Sequence, residues 1–233
     1  MFRGDHPALT RAMHRGLALA RGLGHPRAGS EHLLLALAEA EDAVGAVLAR
    51  RGVTESAVRA AVRLAAPLGA GAAADRDTLT PLGLDPFLSR LSPAVLDRPP
   101  AREPLFPLGG AAARRRCARL DPPLGLDAQA SYEASLRLAL ARWDRDHRPE
   151  HLALVLVALD PGVAWVLAAA GVDPPALLTD LAATFPPPHR NRLLRAERRL
   201  GRRSRQHDLV RRYEHTTGRT VTSPTILPTL ITA

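Results

Sequence analysis

Apolar residues along the chain recur at helical spacing in short runs, and the runs come in two matching sets. Leu9, Met13, Leu17 and Ala20 fall on one side of a predicted helix that starts at Pro7, and Gly22, Gly24, Pro26 and Gly29 end it in a loop. Ser30 then offers an N-cap to a second predicted helix, with Glu31 in the first turn, where the helix dipole favours a carboxylate. Asp42 caps a third, which ends at Gly52; Thr54 caps a fourth, with Val58 and Val62 on one face and Pro67 beyond it. A shift of 119 positions brings the pattern back. Glu31-His32-Leu33 returns as Glu150-His151-Leu152, Val47-Leu48 as Val166-Leu167, Gly52-Val53 as Gly171-Val172 and Thr54 as Asp173. An ungapped echo of this length marks a duplicated structural unit.

The second set is punctuated by prolines. A helix is expected over Ala130 to Arg142, Pro149 suits the first position of the next, and Asp160-Pro161 and Asp173-Pro174 each pair an N-cap with a proline at N1. Pro186-Pro187-Pro188 stops the pattern. The expectation is an all-α chain with four segments: a first unit over 1–66, a Pro/Gly-rich linker or insertion over 67–126, a second unit over 127–185, and an arginine-rich helical tail over 186–233. Ten prolines rule out a long helix in the linker, where short helices are expected around Asp85 to Leu91 and Ala111 to Leu120. From Thr216 onward the Thr/Pro-rich end is expected to be disordered.

Scarce aromatics and abundant Ala and Leu support helices packed through aliphatic seams. The 32 basic residues are all arginine, which excludes a Walker A lysine and Schiff-base chemistry. A lone Cys117 cannot form an internal disulfide, and with no apolar leader run near Met1 a cytoplasmic setting is expected. The net charge of +9 sits in the tail, where residues 186–233 hold 11 Arg against 3 acids. Arg195, Arg198, Arg199, Arg202, Arg203 and Arg205 are its candidate electrostatic contacts, to nucleic acid or to an acidic protein surface, unless the tail is simply a solvated extension. No aromatic other than Tyr213 interleaves with them, so stacking on single strands has little support. The tail and body are expected to act separately, so that removing residues 186–233 costs little stability. The Leu152 to Val172 run is apolar enough to raise a membrane span, but Asp160-Pro161-Gly162 breaks it into two soluble helices, and no membrane contact is expected.

His147-Arg148-Pro149-Glu150-His151 matches H-x-x-E-H, an inverted zinc-protease signature. Pro149 begins the helix after His147, and the first unit has Ala28 at that place, so the E-H pair belongs to the repeat and no metal is expected. No other catalytic constellation and no cofactor motif is present, and the chain is expected not to be an enzyme.

Gly24-His25-Pro26-Arg27-Ala28-Gly29-Ser30-Glu31-His32-Leu33-Leu34-Leu35-Ala36-Leu37 resembles the G-H-x-x-x-G-[TS]-E-H-[IL]-L-L-x-L block of the Clp repeat domain, the N-terminal part of ClpA- and ClpC-type unfoldases. The second block is degenerate, with Trp143 and Arg148 where the first has glycines. The resemblance implies two tandem four-helix repeats with pseudo-twofold symmetry, without the ATPase modules. It also implies a protein-binding role in Clp-dependent proteolysis, toward adaptors or substrates, including proteins carrying phosphorylated arginine. By the same resemblance Glu31 and Glu150 are the pocket glutamates, with His32 and His151 beside them. The family's pocket threonine falls on His6 here. A nucleic-acid-associated protein using the tail is the alternative.

Overall fold

The computed structural model describes residues 2–66, 68–84, 117, 119–187, 204–225 and 227–231, and among these every regular element is helical. The first unit is α1 (Pro7–Gly22), α2 (Ser30–Ala38), α3 (Ala43–Arg50) and α4 (Glu55–Ala65). After it come α5 (Ala70–Leu79) and a 3₁₀ turn, Thr80–Leu82. The second unit is α6 (Leu126–Arg142), α7 (Pro149–Leu159), α8 (Pro161–Ala169) and α9 (Pro174–Thr184). The tail contributes α10 (Ser204–Thr217) and a short α11 (Leu227–Ile231). The chain is two copies of a four-helix unit with added helices.

The copies share local chemistry as well as apolar spacing. Thr54 and its counterpart Asp173 both cap a helix by accepting an N–H three residues on, from Ala57 at 3.3 Å and Ala176 at 3.2 Å. The copies also close each other. Ala28 donates its N–H to Pro123 at 2.9 Å and accepts from Gly125 at 3.0 Å; His147 donates to Gly4 at 2.9 Å and accepts from His6 at 2.8 Å. The second set is the first with the roles of the units exchanged, so each loop before a central helix pairs with the lead-in to the first helix of the other unit. The central helices α2 and α7 are buried nearly all round, with Leu33 to Leu37 and Leu152 to Leu159 at the middle of the core. Among the described residues no single helix is long and apolar enough to cross a membrane, and α7 and α8 meet at 85°.

Two regions depart from the sequence expectations. The expected linker contains α5, an Ala-rich helix obscured in the sequence by Pro67, Gly69 and Gly71 around its start. It packs across α8, where the Trp165 indole donates to Asp77 at 2.7 Å and the backbones approach so closely that a Cβ on Gly162 would lie 2.7 Å from the Gly71 nitrogen. Of the short helices expected in the linker, the one at 85–91 and most of that at 111–120, with Arg114 to Arg116, lie outside the described residues.

The tail is not separate from the body. Leu209, Tyr213, Val221, Leu230 and Ile231 are all buried, so the expectation of a disordered end after Thr216 is corrected. The apolar side chains are too sparse to signal a core in sequence, but α6 offers them a face. Positions 11 and 15 of α1 are exposed arginines, while their counterparts on α6 are the buried Ala130 and Ala134, beneath α10. Leu193 and Leu200 lie outside the described residues.

Candidate functional site

The two E-H motifs sit at the heads of α2 and α7, with Glu31 and Glu150 each second in its helix. In both, the histidine completes the cap rather than facing a ligand. His32 Nδ1 accepts the N–H of Gly29 at 3.0 Å, and His151 Nδ1 accepts that of Arg148 at 3.0 Å, which satisfies a donor just outside the helix. With Nδ1 accepting, a neutral ring carries its proton on Nε2. His32 Nε2 then donates to His25 Nδ1 at 3.0 Å, and His151 Nε2 to Asp144 at 2.8 Å. His25 and Asp144 are themselves counterparts in the repeat. Both motif histidines are buried with both nitrogens engaged, so neither is free to touch a partner. Burial, reinforced by His25, holds His32 down at about 4, so it stays neutral.

The glutamates part company. Glu31 is 2 % exposed and folded back over its own N-cap, so that a Cβ on Gly29 would lie 2.3 Å from its Oε2. Gly69 and Ala70, leading into α5, close over it from outside. Two more buried carboxylates belong to the same cluster, Asp127 in the first turn of α6 and Asp160 at the N-cap of α8. Ser30 ties them together: its N–H and hydroxyl both lie 3.2 Å from Asp127 Oδ2, and the hydroxyl lies 2.9 Å from Asp160 Oδ1. Asp160 also accepts from the Val163 N–H at 2.8 Å and from the Tyr213 hydroxyl at 2.6 Å. Burial, and then the charge of Asp127, push Glu31 up to about 8. Burial and Asp127 likewise raise Asp160. Glu31 therefore keeps its proton at neutral pH, which lowers the cost of an Oε2 that has no hydrogen-bond partner. His32 lies 3.3 Å from Glu31, but with both groups neutral this is no ion pair.

None of this recurs around Glu150. Arg148 stands where Gly29 is, Pro149 where Ser30 is, Ala8 where Asp127 is and the exposed Glu41 where Asp160 is. The arginine leaves no room for a folded-back carboxylate, and Glu150 is only half-buried. The last turn of α6 and its C-cap leave Leu140 and Trp143 47 % and 52 % exposed. Trp143 has φ 60, while its counterpart Gly24 has φ 71. The turn demands a left-handed residue, and a tryptophan held there costs roughly 1–2 kcal/mol. Sequence reasoning noted Trp143 only as a lost glycine, although a bulky residue in a glycine's place was the available signal. Beneath it Arg142 is buried and donates to the carbonyls of Phe185 and Pro186 at 2.8 and 2.7 Å.

Metal ligation does not fit either head. His147 precedes α7, with Nδ1 2.9 Å from Asp5 and Nε2 2.8 Å from Ser135 Oγ, so all four nitrogens of His147 and His151 are taken. His25, Glu31 and His32 bring three donor atoms within 4.8 Å of one another. The facing nitrogens of the two histidines are spent on each other, however, and Glu31 lies by the opposite nitrogen of His32, which already accepts from Gly29. His6 caps α1 by accepting the Ala8 N–H at 3.2 Å. Of the six tail arginines proposed as contacts, Arg195, Arg198, Arg199, Arg202 and Arg203 lie outside the described residues, and Arg205 is placed only by its position in α10.

Residues 7–84, the first unit with α5, match the family model of the Clp repeat (R) N-terminal domain. The chain is also similar to the crystal structure of the N-terminal domain of the caseinolytic protease associated chaperone ClpD from Arabidopsis thaliana. That similarity has 19 % identity over 78 % of this chain and 94 % of that one, with a TM-score of 0.48. No curated protein matches.

Proposed function

We propose that this chain is a non-catalytic, cytoplasmic protein-binding factor of Clp-dependent proteolysis, acting as an adaptor or in substrate recognition, and that it meets its partner at the head of the second repeat. The observation that carries the reading is the exposed pair Leu140 and Trp143 in the second unit, whose motif glutamate, Glu150, is half-buried rather than sealed. Backbone strain persists where the surroundings enforce it, and it gathers at binding sites. A large exposed aromatic with an apolar neighbour is the composition of a contact hot spot. The first head, with Glu31 sealed, supports no such contact. A partner bearing phosphorylated arginine therefore belongs at Glu150, a half-buried carboxylate able to accept from a guanidinium.

The test is capture from extracts of the native host on immobilised full-length chain, beside Trp143→Ala and Glu150→Ala of unchanged circular dichroism. Wild type is expected to retain Clp components or their substrates, and both variants to lose them, with free phosphoarginine competing if that modification is the recognised group. The same proteins held equally by all three chains would refute the site. The nucleic-acid alternative gains no support from the described tail, where Arg219 turns inward to Asp75 at 2.9 Å.

A further inference from the structure

Both units complete the same four helices, and among the described residues only the second carries a helix such as α10. The first unit leaves the equivalent face of α1 in water, with Arg11 and Arg15 exposed. The chain thus contains its own control: the four-helix unit closes without a fifth helix, and α10 is an addition to it. The contacts of the C-terminal segment are those of a bound peptide. α10 is mostly polar and buries Leu209 and Tyr213 against α6, and the seam keeps a small cavity lined by Ala130, Ala134, Leu209 and Tyr213. The Tyr213 hydroxyl reaches Asp160. The Arg219 guanidinium meets Asp75 through Nε at 3.0 Å and Nη2 at 2.9 Å, and lies over Gly71, where a Cβ would come within 2.5 Å of Nη1. The N–H groups of Thr222 and Ser223 donate to Leu159 and Ala158 at 3.2 and 2.9 Å, carbonyls at the end of α7 that the helix itself leaves unpaired.

We propose that residues 209–231 are a detachable internal ligand of a peptide groove built by α5, α6 and the end of α7. The groove takes a peptide with an apolar helical face, a tyrosine on that face and an arginine just past the helix end, and the chain's own copy fills it at rest. The glycine beneath the guanidinium, the paired Asp75 and the alanine face of α6 are the specificity elements. Residues 188–203 join the segment to α9 in sequence. In cis, such an occupant suppresses capture of a partner by raising the local concentration of the competitor. This groove is distinct from the second head and goes beyond the function proposed there.

The test keeps the full chain. A specific protease site placed within residues 195–200 is cut after folding, and a fluorescent peptide of residues 204–231 is added. The nicked protein is expected to retain its helical circular dichroism and to take up the peptide by exchange, read as a rise in anisotropy. The intact chain should bind the peptide at least tenfold more weakly, because the internal copy competes. Peptides with Arg219→Ala or Tyr213→Phe should also bind at least tenfold more weakly. Trp143→Ala in the chain should change none of this, which separates a failure here from a failure at the second head. Loss of helical signal on departure of the cut piece, or no exchange over a day, would make the segment an integral part of the fold and overturn the proposal.

Discussion

The heads of α2 and α7 are one backbone motif built twice, and they differ in what a single preceding residue allows. Both start with a histidine capping its own helix and a glutamate in the first turn. At the first, Gly29 lets the carboxylate fold inward, where Ser30, Asp127, Asp160 and the start of α5 enclose it. At the second, Arg148 stands in place of the glycine and Glu150 is half-buried rather than enclosed. Duplication has kept the scaffold and divided the sites, one into a buried acidic junction and one into an open surface. The histidine serves the shared part, and the glutamate serves the part that diverged.

The covering of the first head is where the comparison breaks with the largest effect. Tyr213→Ala removes a fully buried ring and an Asp160 partner, and aromatic truncations of this kind cost about 3–5 kcal/mol. At roughly 2–4 °C per kcal/mol for a chain of this size, the calorimetric midpoint should fall by about 10 °C. Deleting the tail from residue 188 should lower it further, reversing the expectation that the tail is thermally silent. A midpoint within 2 °C or so of wild type would return the tail to the periphery.

Exchanging the residues before the two glutamates sharpens the contrast. Gly29→Arg must expel Glu31 from its cradle, and should cost roughly 3 kcal/mol in urea unfolding. Arg148→Gly, at an exposed position, should stay within about 0.5 kcal/mol apart from the cost of glycine itself. Equal losses in the two variants would mean that Gly29 is not what seats the carboxyl.

Proton linkage separates the heads next. Glu31 has a folded value of about 8 against 4.5 unfolded, so its stabilising proton is lost as pH rises through that window. His32 and His147 stand at about 4 against 6.5, the latter chiefly through burial, so their contribution is lost as pH falls below the unfolded value. Stability should therefore peak near pH ~6.5 and decline on both sides. Glu31→Gln should flatten the alkaline limb and steepen the acid limb above pH 4.5, where loss of the Glu31 proton opposes the gain from the histidines. An alkaline limb that persists in Glu31→Gln would assign it to another group.

The smallest effect is the most diagnostic of the open head. Trp143→Gly relieves the left-handed backbone at φ 60 and should be neutral or stabilising by up to ~1 kcal/mol, although it removes an aromatic residue. A loss of 2 kcal/mol or more would show that the exposed indole packs within the fold rather than awaiting a partner.

The fold was legible in the sequence to the extent that it is local. Caps at Asp42, Thr54, Asp160 and Asp173, and the apolar spacing that repeats at a fixed offset, depend on neighbours a few residues away. Glu31 and Glu150 were legible as a pair, but their different surroundings were not. The surroundings of the first are made by Asp127, Asp160 and Ala70, which arrive from three other parts of the chain, with Tyr213 bonded to Asp160 behind them. The tail misled for a related reason. Its arginines dominate the local composition, while the few residues that dock it acquire meaning only against Ala130 and Ala134 on α6.

The crossed pairing of the lead-in segments has a consequence for how a unit like this exists by itself. Ala28 with Leu124, and Asp5 with His147, are the two parallel bridges, and each half of the molecule supplies one strand-like segment to each. One half in isolation has both partners of neither bridge. Each of its two segments both donates and accepts, and each meets the other half's segment rather than its own. Two identical halves related by a twofold axis satisfy every one of those bonds, since such an interface needs only that residue i meet j and j meet i. The architecture is thus that of a symmetric dimer whose subunits have been joined end to end. Covalent joining freed the two copies from identity, and so permitted one head to become interior while the other remained surface.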